Sequence, residues 1–442
     1  MRVDYFHTGN AFEERFSLDG VVVEGPWPGP IDRWIDETNL GKYQFQVTDR
    51  RTNRQLYSRG FASVFGEWET TAEAKMMHRT YHESLRFPVP GEPFRLVLKK
   101  RDRQNAFREV WSIVIDPDDP TVDRTGQPLN PKYWAVMRYG EPRDKVDILL
   151  VGDGYTAGEM DKWRRDARRM ADMLFAVSPF KERRKEFNIW ALDTPADESG
   201  IARPSDRVYR RSPVRASYDA FGLDRYILTF DNKRLREIAA AAPYEFVGII
   251  ANDRKYGGGG IHNQYATVAA DNAFASYIFV HEFGHHFAGL ADEYYIASVA
   301  YETSGERIEP WEPNVTTDPQ AERWKDLIAP GIPLPTPWPK EAFEDAEQEF
   351  QARRRRIRSQ SRSEEEMEML FREEQDRITN LLASAAHAGK VGSFEGAMYQ
   401  AKGYYRPQVD CIMFTRNAVG FCAVCRRAIE RVIDLYTNGK GP

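Results

Sequence analysis

The stretch His281-Glu-Phe-Gly-His285-His-Phe-Ala-Gly289-Leu-Ala-Asp292-Glu-Tyr294 restricts this chain more than any other. Two histidines four apart lie about 40° apart around an α-helix and one turn apart along it, so both imidazoles can reach one ion. Glu282 stands beside the first, placed to accept a proton from a water at that ion. The helix must then end. On a continuing helix Asp292 would sit roughly 10 Å beyond His285, too far to share the ion. Gly289 accepts the left-handed conformation that terminates helices, and a turn there returns Asp292 as a third ligand. Glu293 is the rival for that place, and His286 reads as a helix-surface or outer residue of the site. Two imidazoles and a carboxylate leave a fourth position for water, the arrangement of a catalytic Zn2+. The apolar run Phe274 to Val280 leads into the motif, and three of the chain's eight histidines fall within six residues. That clustering weighs against a helix with stray surface histidines.

Composition narrows the setting. A chain of 442 residues holds two or three domains. Its 62 basic and 67 acidic residues give a net charge of −5, which speaks against a nucleic-acid binder. Aromatic residues at 13% call for substantial cores. No run of about 18 apolar residues occurs, so no membrane span is expected. The first residues, Met1-Arg-Val-Asp-Tyr-Phe-His7, lack an apolar stretch of leader length. The expected partner is a protein or peptide substrate.

The chain divides by pattern. Residues 1–118 read as an all-β sandwich domain. Tyr43 to Asp49 alternates with period two, and Phe94 to Lys100 and Val110 to Ile115 are further strands. Residues 119–442 read as an α/β (α+β) domain, with buried strands at Val146 to Val151, Phe187 to Leu192 and Phe246 to Ile250. Thr156 and Glu159 are spaced as a capping box opening a helix. A helical insertion is expected at about 300–395, over or beside the cleft. Its segment from Lys340 to about Ala386 is heavily charged, and Arg353-Arg-Arg-Arg356 is balanced by Glu364-Glu-Glu366, which reads as a solvated hairpin.

Other residues are candidates by position. Met413 suits a soft floor beneath the imidazoles. Tyr404, Tyr405 and Arg406 could hold an oxyanion. Gly258 and Gly259, within Tyr256-Gly-Gly-Gly-Gly-Ile261, form either an edge for an extended peptide or a flexible loop. Cys411, Cys422 and Cys425 allow one disulfide with a thiol left over, or a reduced set. A structural zinc there has no evident fourth ligand, so the disulfide is the preferred reading.

Together these residues resemble the IgA-peptidase-type family of bacterial zinc metallopeptidases, a metzincin-like group. The likeness runs through Asp4-Tyr-Phe-His-Thr-Gly-Asn10, Gly41-Lys-Tyr43, Ser58-Arg-Gly-Phe61, Phe65-Gly-Glu-Trp68, Gly152-Asp-Gly-Tyr-Thr156, Tyr256-Gly-Gly-Gly-Gly260, the histidine segment, Phe394-Glu-Gly396, Tyr405-Arg-Pro407, Cys411-Ile-Met413 and Phe421-Cys-Ala-Val-Cys425. The resemblance implies an N-terminal β-sandwich, a metzincin-like catalytic domain with a methionine turn at Met413, zinc endopeptidase activity, immunoglobulin among the substrates to consider, and a secreted or periplasmic location, with the cytoplasm as the alternative. One departure stands out: against the general pattern H-E-x-x-H-x-x-G-x-x-H/D, both Gly289 and Asp292 fall one residue late. The competing function is a non-catalytic surface binding protein whose metal site is only structural.

Overall fold

The computed structural model describes residues 1–126, 131–297, 299–300 and 307–437, so residues 301–306 of the expected insertion lie outside the described residues. The N-terminal strands are β1 (Arg2–Gly9), β2 (Glu14–Val22), β3 (Tyr43–Asp49), β4 (Gln55–Phe61), β5 (Arg79–Arg86), β6 (Phe94–Arg101) and β7 (Phe107–Ile115). They form two antiparallel sheets, ordered β2-β1-β5 and β4-β3-β6-β7. Strand β3 shows why period two matters: Tyr43, Phe45 and Val47 are buried and the residues between them are not. These three meet Val3 and Tyr5 of the other sheet in one apolar cluster. A short helix, α1 (Val64–Trp68), follows β4 and is capped by the Ser63 side chain.

The second region is built on a six-stranded sheet of β8 (Tyr133–Met137), β9 (Val146–Asp153), β10 (Phe187–Leu192), β11 (Phe246–Ala251), β12 (Gly258–Ile261) and β13 (Tyr265–Ala269). The order is β12-β13-β11-β9-β10-β8, with four parallel strands in the centre and an antiparallel strand at each edge. Every residue of β9, β10 and β11 is buried. That is why these segments read as unbroken apolar runs: both faces of a parallel sheet are covered. Ile148 and Leu150 face a core shared with α2 (Met160–Leu174). Leu149 and Val151 face a second core that contains Phe65 and Trp68 of α1 and Leu235 of α3 (Asn232–Ala239). The N-terminal region therefore packs directly on the sheet. The Thr156–Glu159 box forms as spaced, with the Thr156 N–H donating to Glu159 Oε2 at 2.9 Å ahead of α2.

The remaining elements are α4 (Ala275–Ala288), α5 (Lys340–Ser359), α6 (Glu364–Ala383), the hairpin β14 (Phe394–Ala397) and β15 (Gln400–Arg406), and α7 (Ala423–Tyr436). The charged segment is indeed a helical hairpin, but it is not merely solvated. Phe343, Phe350, Met367 and Phe371 join the main core, while Arg353 pairs with Glu373 at 2.6 Å on the outside. No described helix is long and apolar enough to cross a membrane.

His262 marks the junction of the two regions: its carbonyl accepts the Ala62 N–H at 2.9 Å. Burial lowers its imidazole from the usual 6.5 to about 4. Between those values the unfolded chain binds the proton and the folded chain does not, so stability falls as pH drops below about 6.5. At pH 5 the loss from this group is about 2 kcal/mol. We expect urea unfolding at pH 7 and pH 5 to show wild type losing about that much relative to His262→Gln; equal losses in the two proteins would refute the assignment.

Candidate active site

Helix α4 carries the motif and ends where the spacing requires. Gly289 adopts φ 57°, ψ 36°, and its N–H closes the last turn on the His285 carbonyl at 3.0 Å. The chain then doubles back. Asp292 Oδ1 comes to 3.1 Å from His281 Nε2 and 3.2 Å from His285 Nε2, and the two Nε2 atoms are 3.1 Å apart. Asp292, and not Glu293, faces the imidazoles. Each Nδ1 is tied to a backbone carbonyl: His281 to Ile412 at 2.9 Å, His285 to Leu290 at 2.5 Å. An Nδ1–H donating to those carbonyls leaves both Nε2 lone pairs aimed at the same point as the carboxylate.

This donor set fits a divalent cation. Ligands at about 2.0–2.1 Å in tetrahedral array lie about 3.3 Å from one another, close to the three separations found. The electrostatics agree. Burial alone would lower His285, yet the adjacent Asp292 raises it to about 9. Burial would likewise raise Asp292, but His285 and His281 hold its carboxyl well below the usual range. The cluster thus draws a positive charge to its centre. Glu282 lies half-buried on the same helix; burial raises its carboxyl, and the imidazoles of His281 and His285 oppose the rise.

The site opens into a cavity of about 590 Å³ walled by α4, β12, the α5–α6 hairpin and the N-terminal residues Lys42, Gly66 and Arg101. Glycines of β12 let α4 come close. A Cβ on Gly258 would stand 2.5 Å from Ile278, and one on Gly260 would stand 2.2 Å from the Glu282 carbonyl. The glycine run is therefore a packed edge strand and not a loop. Its outer edge is partly taken, because Gly258 exchanges hydrogen bonds with Arg225 O and Ile227 N–H at 3.1 Å each. Gly260, two residues on, is the next outward position of the strand and lines the cavity. Gly259 instead packs on Tyr226.

The other candidates separate. Met413 is fully buried, with its Sδ 3.1 Å from where a Cβ on Gly284, the residue before His285, would stand. The chain turns there, as Phe414 and Thr415 donate to the Cys411 carbonyl. Tyr404 borders the cavity, but its hydroxyl is bound to the backbone of Ile308. Tyr405 and Arg406 do not line the cavity. Arg406 is fully buried, stacked on Phe414 at 3.7 Å and bonded to the Gly396 carbonyl at 2.8 Å, so the oxyanion role read from sequence does not fit it. His286 is a core residue and not a surface one: its Nδ1 bonds the Ile261 carbonyl and its Nε2 accepts the Val247 N–H. The cysteines are free thiols, so the disulfide preferred from sequence is not formed.

Three contributors were not read from sequence. Asn314 clamps the exit turn through Ala291 at 2.8 Å and 3.0 Å. Tyr399 donates to Asp292 Oδ2, the oxygen turned away from the imidazoles. It sits in the β14–β15 turn, where Met398 and Tyr399 both hold positive φ, at 48° and 62°. Tyr294 lies parallel to His281, with ring centroids 6.2 Å apart. Removing an outer partner of a ligand costs roughly 10–100-fold in metal affinity. We expect that loss for Tyr399→Phe in competition with a chromogenic chelator; unchanged affinity would leave Tyr399 without a part in the site.

Residues 135–433 match the family described as IgA Peptidase M64. The chain belongs to this family. Residues 1–112 match its companion, Peptidase M64 N-terminus, so the two together span nearly the whole chain. No curated protein matches it. An M64 member is a peptidase hydrolase, and its substrate is protein or peptide. In this M64 chain the His281–His285–Asp292 cluster lies within residues 135–433, and the cavity is lined from both matched regions.

Proposed function

We propose that this M64 peptidase is a zinc-dependent endopeptidase. The observation that carries the reading is the convergence of three acceptor atoms, His281 Nε2, His285 Nε2 and Asp292 Oδ1, at 3.1–3.2 Å from one another. His281, His285 and Asp292 would hold the ion, which when bound would supply Lewis acidity to a water and to the scissile carbonyl. Glu282 accepts the proton of the attacking water and delivers it to the leaving amine. Its raised affinity for a proton suits both halves of that transfer. Met413 supplies the apolar floor under the imidazoles, in the manner of the metzincin methionine turn. Tyr294, beside His281, is the side chain we assign to the developing oxyanion in place of Tyr404, Tyr405 and Arg406.

The substrate lies extended along β12, with its backbone meeting the outward N–H and C=O of Gly260. The two N-terminal sheets, read as a sandwich, and the α5–α6 hairpin form the far walls of the cleft. Immunoglobulin A, named in the family description, is the first protein substrate to test, and export is the setting we propose. A peptide-library cleavage profile on zinc-loaded protein decides the matter. Internal cleavage that stops with chelator and returns with zinc is expected; no cleavage, or cleavage indifferent to chelator, would refute the reading.

A further inference from the structure

Apart from the cavity, four buried side chains meet: Glu293, Cys411, Cys422 and Cys425, with one ligand atom of each within 4.8 Å of the others. Cys411 Sγ is 3.9 Å from Cys425 Sγ, nearly twice a disulfide length. Glu293 Oε1 is 3.4 Å from Cys425 Sγ and 3.9 Å from Cys422 Sγ. Tetrahedral zinc with thiolate bonds of about 2.3 Å and a carboxylate bond of about 2.0 Å sets sulfurs about 3.8 Å apart and sulfur from oxygen about 3.5 Å apart. The three separations given lie within about 0.4 Å of those values.

Two independent observations call for a cation there. Glu293 is fully buried, and its Oε2 has no hydrogen-bond partner among the described residues, while Oε1 accepts from Asn314 at 2.9 Å. A buried carboxylate oxygen left unpaired bears its full desolvation penalty. The sulfurs, for their part, receive backbone donors. Cys411 Sγ accepts from the N–H of Cys422 at 3.3 Å and of Met413 at 3.5 Å, and Cys422 Sγ accepts from Cys425 N–H at 3.4 Å. Donors aimed at sulfur favour the thiolate, which is the ligand form. Arg406, fully buried and within electrostatic reach of Glu293 and Cys411, offsets one of the two negative charges that three thiolates and a carboxylate retain around a divalent ion.

We propose that Glu293, Cys411, Cys422 and Cys425 form a second, structural zinc site, closed by four protein ligands. Thiolate-rich tetrahedral donors select zinc over calcium or magnesium. Binding releases the thiol protons and joins three separate pieces of chain. Each piece bears on the candidate active site: Glu293 follows Asp292, Cys411 precedes the Ile412 carbonyl that holds His281, and Cys422 and Cys425 open α7. The site would fix the exit turn and the Met413 turn against one another.

The test is zinc stoichiometry by plasma mass spectrometry on full-length protein prepared under reducing conditions. Wild type carries two zinc ions per chain, and His281→Ala/His285→Ala carries one. Cobalt exchanged into that double-histidine variant gives a thiolate-to-cobalt charge-transfer band, which Cys422→Ser/Cys425→Ser added to it abolishes. One ion in wild type and none in the histidine variant would overturn the proposal. So would an intact mass two hydrogens short, the mark of a disulfide. Wild type and the histidine variant suffice if the serine variant does not fold.

Discussion

Glutamine in place of Glu282 lowers kcat/KM by about 10²–10⁴-fold and leaves the zinc content as it was. The substitution keeps the shape of a side chain that sits half-buried one residue after a ligand, so α4 and its contact with Gly260 are undisturbed. It removes the one group we assign to carry the proton from water to amine. Metal content is untouched because Glu282 is not among the three converging donors. Initial rates on a cleaved peptide, with zinc measured on the same sample, check both halves. Full activity in the variant would remove Glu282 from the mechanism, and loss of zinc would make it a ligand.

The second large effect is expected at Asp292. Alanine there deletes the acceptor 3.1 Å and 3.2 Å from the imidazoles and the acceptor of the Tyr399 hydroxyl. A site reduced to two neutral nitrogens is short of a ligand and of the negative charge that Asp292 brings to it. Zinc affinity at that site should fall by more than the roughly 10–100-fold expected when an outer partner is lost. One ion per chain should leave the dialysed protein, and activity should go with it. Unchanged zinc and activity in Asp292→Ala would take the residue out of the ligand set. Glu293 is not available as a substitute, since its carboxylate points into the thiol cluster.

The parts of this molecule that were legible in the sequence are those whose geometry is local. His281 and His285 are set by helical pitch, and Asp292 by the left-handed turn at Gly289, so the triangle of these three side chains follows from twelve neighbouring residues. Strands β3, β9 and β10 announced themselves through alternation or unbroken burial. What stayed hidden depends on contacts between distant segments. Tyr399 and Asn314 reach the exit turn from far along the chain, and neither sits in a pattern of its own. In sequence Glu293 stands only as the rival of Asp292, because nothing there places it beside three cysteines more than a hundred residues later. Arg406 misled for a different reason: arginine is rarely fully buried, and here stacking on Phe414 with bonds to carbonyls compensates the burial. The glycines of β12 suggested an open edge or a loose loop, whereas the structure uses them for the near approach of α4 and of Tyr226.

The most direct measurement of the central claim is anomalous diffraction at the zinc edge from crystals of the zinc-loaded protein. A peak is expected about 2 Å from His281 Nε2, His285 Nε2 and Asp292 Oδ1, with no fourth side chain bound and solvent facing the cavity. No density at that point, or an ion there enclosed by four protein ligands, would contradict it.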